Sequence, residues 1–272
     1  MGTVTLGGTV VEKIEAIASA GFDGLELFDD DVRNSGLPAR EIARRCADAG
    51  LTIESYQPFR RAEGVSDAEF ADVVRRFRAD LAIMTDLGTA EILIVSNTDP
   101  DADPDRDRSA AQLAHLAAIA ADHGMRITFE ALSWGTHIRR LADAWDVLCR
   151  AGLSTGCLAV DTFHLLALGD GVPDVAALPP DAVGLVQLAD APLLDLDPLP
   201  WSRGHRCFPG EGDFGVSEIA AAVVESGFDG VVSLEIFNPD YRQRPPREVA
   251  RLGAESLRRL LTPMQRVTHS GR

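Results

Sequence analysis

Residues 126–135, RITFEALSWG, set isoleucine, threonine and phenylalanine ahead of a lone glutamate and then break into small and polar residues. A short β-branched and aromatic run reads as a strand, so Glu130 falls at its carboxyl end. The arrangement recurs in CLAVDTFH (157–164), GLVQLADAP (184–192) and VSLEIFN (232–238), which put Asp161, Gln187 and Glu235 at equivalent points. Longer amphipathic stretches separate such runs, with a repeat of about 30 residues, the rhythm of parallel strands joined by helices.

Working outward, eight strands are expected at 4–6, 24–28, 52–56, 91–95, 126–130, 157–161, 184–188 and 231–236. Thr9 is placed to cap the first helix, and Gly21, Gly50, Gly88, Gly124, Gly152 and Gly227 stand where helices should stop. The fold class expected is α/β, a (β/α)8 TIM barrel. At 272 residues the chain is close to the usual barrel size of about 250, so one domain over 1–272 is expected. The stretch 189–215, rich in proline and glycine, reads as a long irregular loop over the active site. The acidic segment 99–107 reads as a solvated loop.

Composition narrows the function. The chain is 46% hydrophobic and 25% charged, enough apolar material for a large core. Its formal charge of -16 argues against nucleic acid, whose binders usually carry a basic footprint. Apolar runs stay short of the roughly 18 residues that a membrane span needs, and no basic leader precedes the first strand-like segment, so a cytoplasmic protein with no membrane partner is expected. Cys46, Cys149, Cys157 and Cys207 form no CxxC pair and indicate neither a disulfide framework nor a thiolate metal site. There is no GxGxxG after a strand, no Walker loop, no GxSxG elbow and no HExxH, which removes most support for nucleotide cofactors and serine hydrolysis. Self-association is left open.

In a barrel, strand ends converge on one mouth. Glu130, Asp161 and Glu235 would then be carboxylates in a poorly solvated place, where unpaired charge is expensive. With the Gln187 amide oxygen they make an oxygen-only set suited to a divalent metal ion, Mg or Mn, with Co as a substitute. Helix capping or pairing with arginine is the plainer alternative for one or two of them. His164, three residues past Asp161, is placed to act as a base. SYQPFRRAEG (55–64) brings Tyr56, Gln57 and Arg60 to the same mouth, and WSRGHRCFPGEG (201–212) brings Ser202, His205 and Arg206. Arg60 and Arg206 suit a forked grip on a carboxylate, whereas Arg61 and Arg203 read as surface residues.

GFDGLELFDDD (21–31), YQPFR (56–60), FEALSWG (129–135), VDTFHLLALGD (160–170), VQLADAP (186–192), RCFPGEGDF (206–214) and SLEIFN (233–238) together resemble the xylose isomerase-like family of sugar phosphate isomerases and epimerases across nearly the whole chain. Within it they look most like the branch that dehydrates 3-dehydroshikimate. Gln187 stands where the sugar epimerases usually carry histidine. The resemblance implies metal ligation by Glu130, Asp161, Gln187 and Glu235, a base at His164, and contacts from Arg60, Ser202 and Arg206 to a small carboxylated cyclic substrate. It implies a hydro-lyase giving protocatechuate. A sugar or inosose isomerase, epimerase or dehydratase on the same site is the alternative, and a non-catalytic binding barrel a more distant one.

Overall fold

The computed structural model describes residues 1–179 and 181–269, with side chains as far as Leu261. Residues 180 and 270–272 of the unit expected over 1–272 lie outside the described residues. In chain order the elements are α1 (Val10–Ser19), β1 (Gly24–Phe28), α2 (Asp29–Arg33), α3 (Ala39–Asp48), β2 (Thr52–Phe59), α4 (Asp67–Leu87), β3 (Glu91–Val95), α5 (Arg106–Asp122), β4 (Arg126–Glu130), α6 (Leu141–Arg150), β5 (Leu158–Asp161), α7 (Thr162–Ala167), α8 (Val172–Ala176), β6 (Val183–Leu188), α9 (Pro198–His205), α10 (Val216–Glu225), β7 (Val231–Leu234), α11 (Pro239–Gln243) and α12 (Pro246–His269). The strands form one parallel seven-stranded sheet in the order β1 to β7, a nearly closed barrel wrapped in helices.

The first of the eight expected strands, at 4–6, is replaced by a 3-10 turn over Thr3–Thr5. Threonine hydroxyls take over much of the ladder that a strand would supply. Phe28 N donates to Thr3 Oγ1 (3.0 Å), and Ile236 N donates to Thr5 Oγ1 (3.0 Å). Only Gly2 pairs as a strand residue, bridging Glu26 and donating from its N to Leu234 O at 2.8 Å. The N-terminal segment therefore closes the gap between β7 and β1 with side-chain bonds, which a search for β-branched runs cannot tell from a strand.

Local signals hold elsewhere. Thr9 and Glu12 form a capping box on α1, as do Ser66 and Glu69 on α4, each satisfying backbone N–H groups that the helix leaves unpaired. Gly88 ends α4 at φ 73°, a left-handed conformation that costs glycine little. The stretch 189–215 is more ordered than expected, since it contains α9. Pro198 opens this helix at a position where a missing N–H costs nothing, and its prolines and glycine mask the helical signal.

Strand alternation sorts the two layers. Leu25, Leu27, Ile92 and Ile94 face the helices in the main core, whereas Leu93, Ala159 and Leu185 form a small apolar plug inside the barrel. The interior above that plug is polar, and the site lies there. Among the described residues, no helix is long and apolar enough to cross a membrane.

Candidate metal centre and active site

Four strands deliver the expected ligands to the carboxyl end of the barrel. Asp161 and Gln187 are register partners on β5 and β6, Glu130 pairs with Val95 at the end of β4, and Glu235 follows β7 directly. Thr162 ties the ends of β5 and β6 together: its Oγ1 donates to Ala189 O and accepts from Ala189 N, both at 2.8 Å. All four side chains are buried. Oxygens of Glu130 and Asp161 and a nitrogen of His164 lie within 4.8 Å of one another.

Glu26 on β1 was not singled out from the sequence, yet it is fully buried in the same layer. Its Oε2 accepts from Gln187 Nε2 (2.9 Å), Gln57 Nε2 (3.3 Å) and Ser55 Oγ (3.3 Å). Gln57 Nε2 also donates to Glu235 Oε1 at 2.9 Å. A lone carboxylate between leucines in GLELF was the available signal, since such a strand residue must face something polar.

Arg206 is wholly buried beneath the mouth. Its Nη1 donates to Asp161 Oδ2 (2.7 Å), Glu235 O (3.1 Å) and Glu235 Oε2 (3.3 Å), its Nε to Ser202 Oγ (3.0 Å), and its Nη2 lies 3.0 Å from His164 Nε2. Every guanidinium nitrogen thus has a partner within the chain, so the forked carboxylate grip expected of Arg206 is already engaged. Asp161 realises the plainer alternative as well: Oδ1 caps α7 by accepting from Phe163 N (2.7 Å) and His164 N (3.3 Å). Ser202 supports Arg206 from a fully buried position.

His164 sits under Trp134, with ring centroids 4.9 Å apart, and its Nε2 lies 3.3 Å from Glu130 Oε1 and 3.9 Å from Asp161 Oδ2. Neutral imidazole has one lone-pair nitrogen, and the guanidinium can only donate, so Nε2 accepts from Arg206 and Nδ1 carries the proton, which Ser133 Oγ accepts at 3.0 Å.

The remaining expected residues divide. Gln57 joins the site, but Tyr56 does not: successive strand residues point to opposite faces, and Tyr56 packs in the layer between strands and helices beside Arg33 and Asp80. Its assignment as a substrate contact is therefore corrected. Arg60 stacks over Phe28 (5.5 Å) and faces Asp29 at 3.5 Å. Arg203 is exposed, as read from the sequence, and its guanidinium lies over Phe237 (4.1 Å) and Trp134 (5.7 Å). Arg60 and Arg203 line one cleft of about 540 Å³ together with Phe28 and Phe237, whose rings meet edge to face at 6.1 Å. His205 is exposed.

Electrostatics test the fit of a divalent cation. Burial, with the charge of Glu235, pushes Glu26 up to about 7. Burial and then the charges of Asp161 and Glu235 hold Glu130 well above the ordinary carboxyl value, and burial raises Glu235. Burial would raise Asp161 too, but Arg206 and His164 hold it below its usual value. His164 is pushed down to about 3, by burial first and then by Arg206 against the pull of Asp161. Glu130, Asp161 and Glu235 surround the single buried guanidinium of Arg206, an excess of buried negative charge, whereas Glu26 faces the buried amino group of Met1. Glu130 Oε1 and Gln187 Oε1 are buried without a hydrogen-bond partner. Acceptors without donors, all hard oxygens, fit a divalent cation.

A family model described as a xylose isomerase-like TIM barrel matches residues 14–260. The chain is 43% identical over 255 residues to the 3-dehydroshikimate dehydratase of Pseudomonas aeruginosa, an overlap that covers 94% of this chain and 40% of that protein. It is also similar to a solved xylose isomerase-like TIM barrel/4-hydroxyphenylpyruvate dioxygenase fusion protein, with TM-score 0.93 and 37% identity over 99% of this chain and 44% of the other. This chain therefore spans less than half the length of either relative. The IOLI protein, solved with a zinc atom bound, shares the fold at TM-score 0.85 and 16% identity over 97% of this chain and 98% of that one. The strand-end carboxylates stand on the barrel that this match describes, and the chain belongs to the xylose isomerase-like TIM-barrel family.

Proposed function

We propose that this chain is a metal-dependent dehydratase that converts 3-dehydroshikimate to protocatechuate. The observation that carries the reading is the 43% identity, over 94% of this chain, to the dehydratase of Pseudomonas aeruginosa. It is supported by the buried polar layer of Glu130, Asp161, Gln187 and Glu235 with His164 beside it.

Those four residues would hold Mn, Mg or Co. When bound, the ion supplies Lewis-acid polarisation of the substrate ketone. His164 takes the proton from C4 at Nε2, and Glu130 and Asp161 lie close enough to stabilise the imidazolium that forms. The C5–O bond breaks, and His164 returns the proton to the departing hydroxyl, which leaves as water. Loss of a C6 proton to solvent and protonation of the ketone oxygen complete the aromatic ring.

The substrate carboxylate is read by Arg60, with Arg203 as its partner, because both stand over the same cleft on paired phenylalanine faces. Arg206 and Ser202 hold Asp161, Glu235 and His164 in place beneath.

The test mixes purified protein, manganese and 3-dehydroshikimate and follows the near-ultraviolet band of protocatechuate, with a chelator-treated control. A metal-dependent rise supports the dehydratase. A flat trace from metal-loaded protein moves the reading to a sugar or inosose substrate.

A further inference from the structure

Glu26 has no place in the chemistry above, yet it is the residue on which two amides of the site converge. Leu25 and Leu27 pack toward the helices, which turns Glu26 toward the barrel axis. There its Oε2 accepts from both Gln187 Nε2 and Gln57 Nε2. A glutamine amide has two ends of nearly equal shape, and rotation about its last torsion exchanges oxygen for NH2. Next to carboxylates, an unconstrained amide turns its NH2 toward them. Asp161 is level with Gln187 in the sheet, so a free Gln187 would present a donor to Asp161 and lose its oxygen as a ligand.

A carboxylate on the opposite side prevents this. With Gln187 Nε2 held at 2.9 Å by Glu26, the amide oxygen must face away from Glu26, and that oxygen is buried without a partner. Gln57 extends the effect by joining Glu26 to Glu235 through one NH2 group. We propose that Glu26 is a positioning residue that locks the Gln187 amide with its oxygen toward the divalent cation and, through Gln57, fixes the carboxylate of Glu235. This rests on the metal reading proposed above.

The experiment measures Mn2+ affinity of the full chain from the electron paramagnetic resonance signal of free Mn2+, for wild type, Glu26→Gln, Glu26→Asp and Glu130→Gln. Glu26→Gln should bind Mn2+ about 10–100-fold more weakly, the scale set by residues that orient metal ligands. Glu26→Asp keeps the charge but withdraws the acceptor from Gln187, and it should weaken binding as well. Chelated Glu26→Gln should melt no lower than wild type, because it loses one of several crowded buried charges. Wild-type affinity in both Glu26 variants, with binding lost in Glu130→Gln, overturns the positioning role and leaves the metal site standing. Wild-type affinity in Glu26→Asp alone assigns the effect to charge and also overturns it. Undiminished binding in Glu130→Gln sinks the metal reading, and the role of Glu26 with it.

Discussion

Arg206 Nη1 lies 2.7 Å from Asp161 Oδ2, and neither side chain is exposed to solvent. The same nitrogen reaches Glu235 Oε2 at 3.3 Å, so one guanidinium holds together two carboxylates from strands at different points around the barrel. Among the described residues it is the buried cation that offsets their repulsion. Its partners all lie within the chain.

Replacing Arg206 with methionine should leave Asp161 and Glu235 as uncompensated buried charges, at a cost of about 3–5 kcal/mol. Denaturant unfolding in chelator measures this, and saturating Mn2+ should restore part of the loss. Arg206→Lys should recover little, because an ammonium cannot bridge Asp161, Glu235 and His164 in one plane. An unchanged unfolding midpoint for Arg206→Met would remove the guanidinium from this role.

His164→Ala should lower turnover about 100-fold or more, the usual scale for a general base. Mn2+ affinity should be retained, since the ligand oxygens come from other residues. Near-normal turnover would take His164 out of the chemistry.

Arg60→Ala and Arg203→Ala should each raise KM for 3-dehydroshikimate more than they lower kcat, because the carboxylate contact is made equally in ground and transition states. The double variant should show the larger rise. If steady-state kinetics instead showed a fall in kcat at constant KM, the carboxylate would have to be read elsewhere.

Stability of the chelated protein should fall as pH rises. A carboxyl with a higher pKa in the folded chain binds its proton more tightly there, so its contribution is present at low pH and lost as pH passes the folded value. Glu26 is raised to about 7, and Glu130, Glu235 and Glu91 move the same way, with burial the largest cause for each. Asp161 is lowered, so its opposite effect falls below its ordinary 3.8 and outside this window. His164, pushed down to about 3, and the Met1 amino group, lowered to about 6, do oppose the trend inside it, and the more numerous raised carboxyls outweigh them. Thermal melts in chelator should therefore give a higher midpoint near pH 5 than above pH 7, a difference that Mn2+ should narrow. A midpoint that rises with pH across that range contradicts the assignment.

The strand positions, the stop glycines and the grouping of Glu130, Asp161, Gln187 and Glu235 at one end of the barrel were legible because each is a local property: β-branched runs, left-handed helix ends and a polar residue closing an apolar strand. Alternation along β2 separates Tyr56 from Gln57, but the inward face is fixed only when the sheet closes. The turn at Thr3–Thr5 stands in for a strand because its hydroxyls find Phe28 and Ile236, partners that exist only in the closed barrel. Glu26 meets Gln187 from 161 residues away, Arg206 is buried because the site lies beneath its loop, and Arg203 rises over Phe237 for the same reason. Sequence periodicity determined the elements and the end of the barrel that carries chemistry. Closure of the chain decided which side chains meet, because burial and partner choice depend on residues that periodicity cannot bring together.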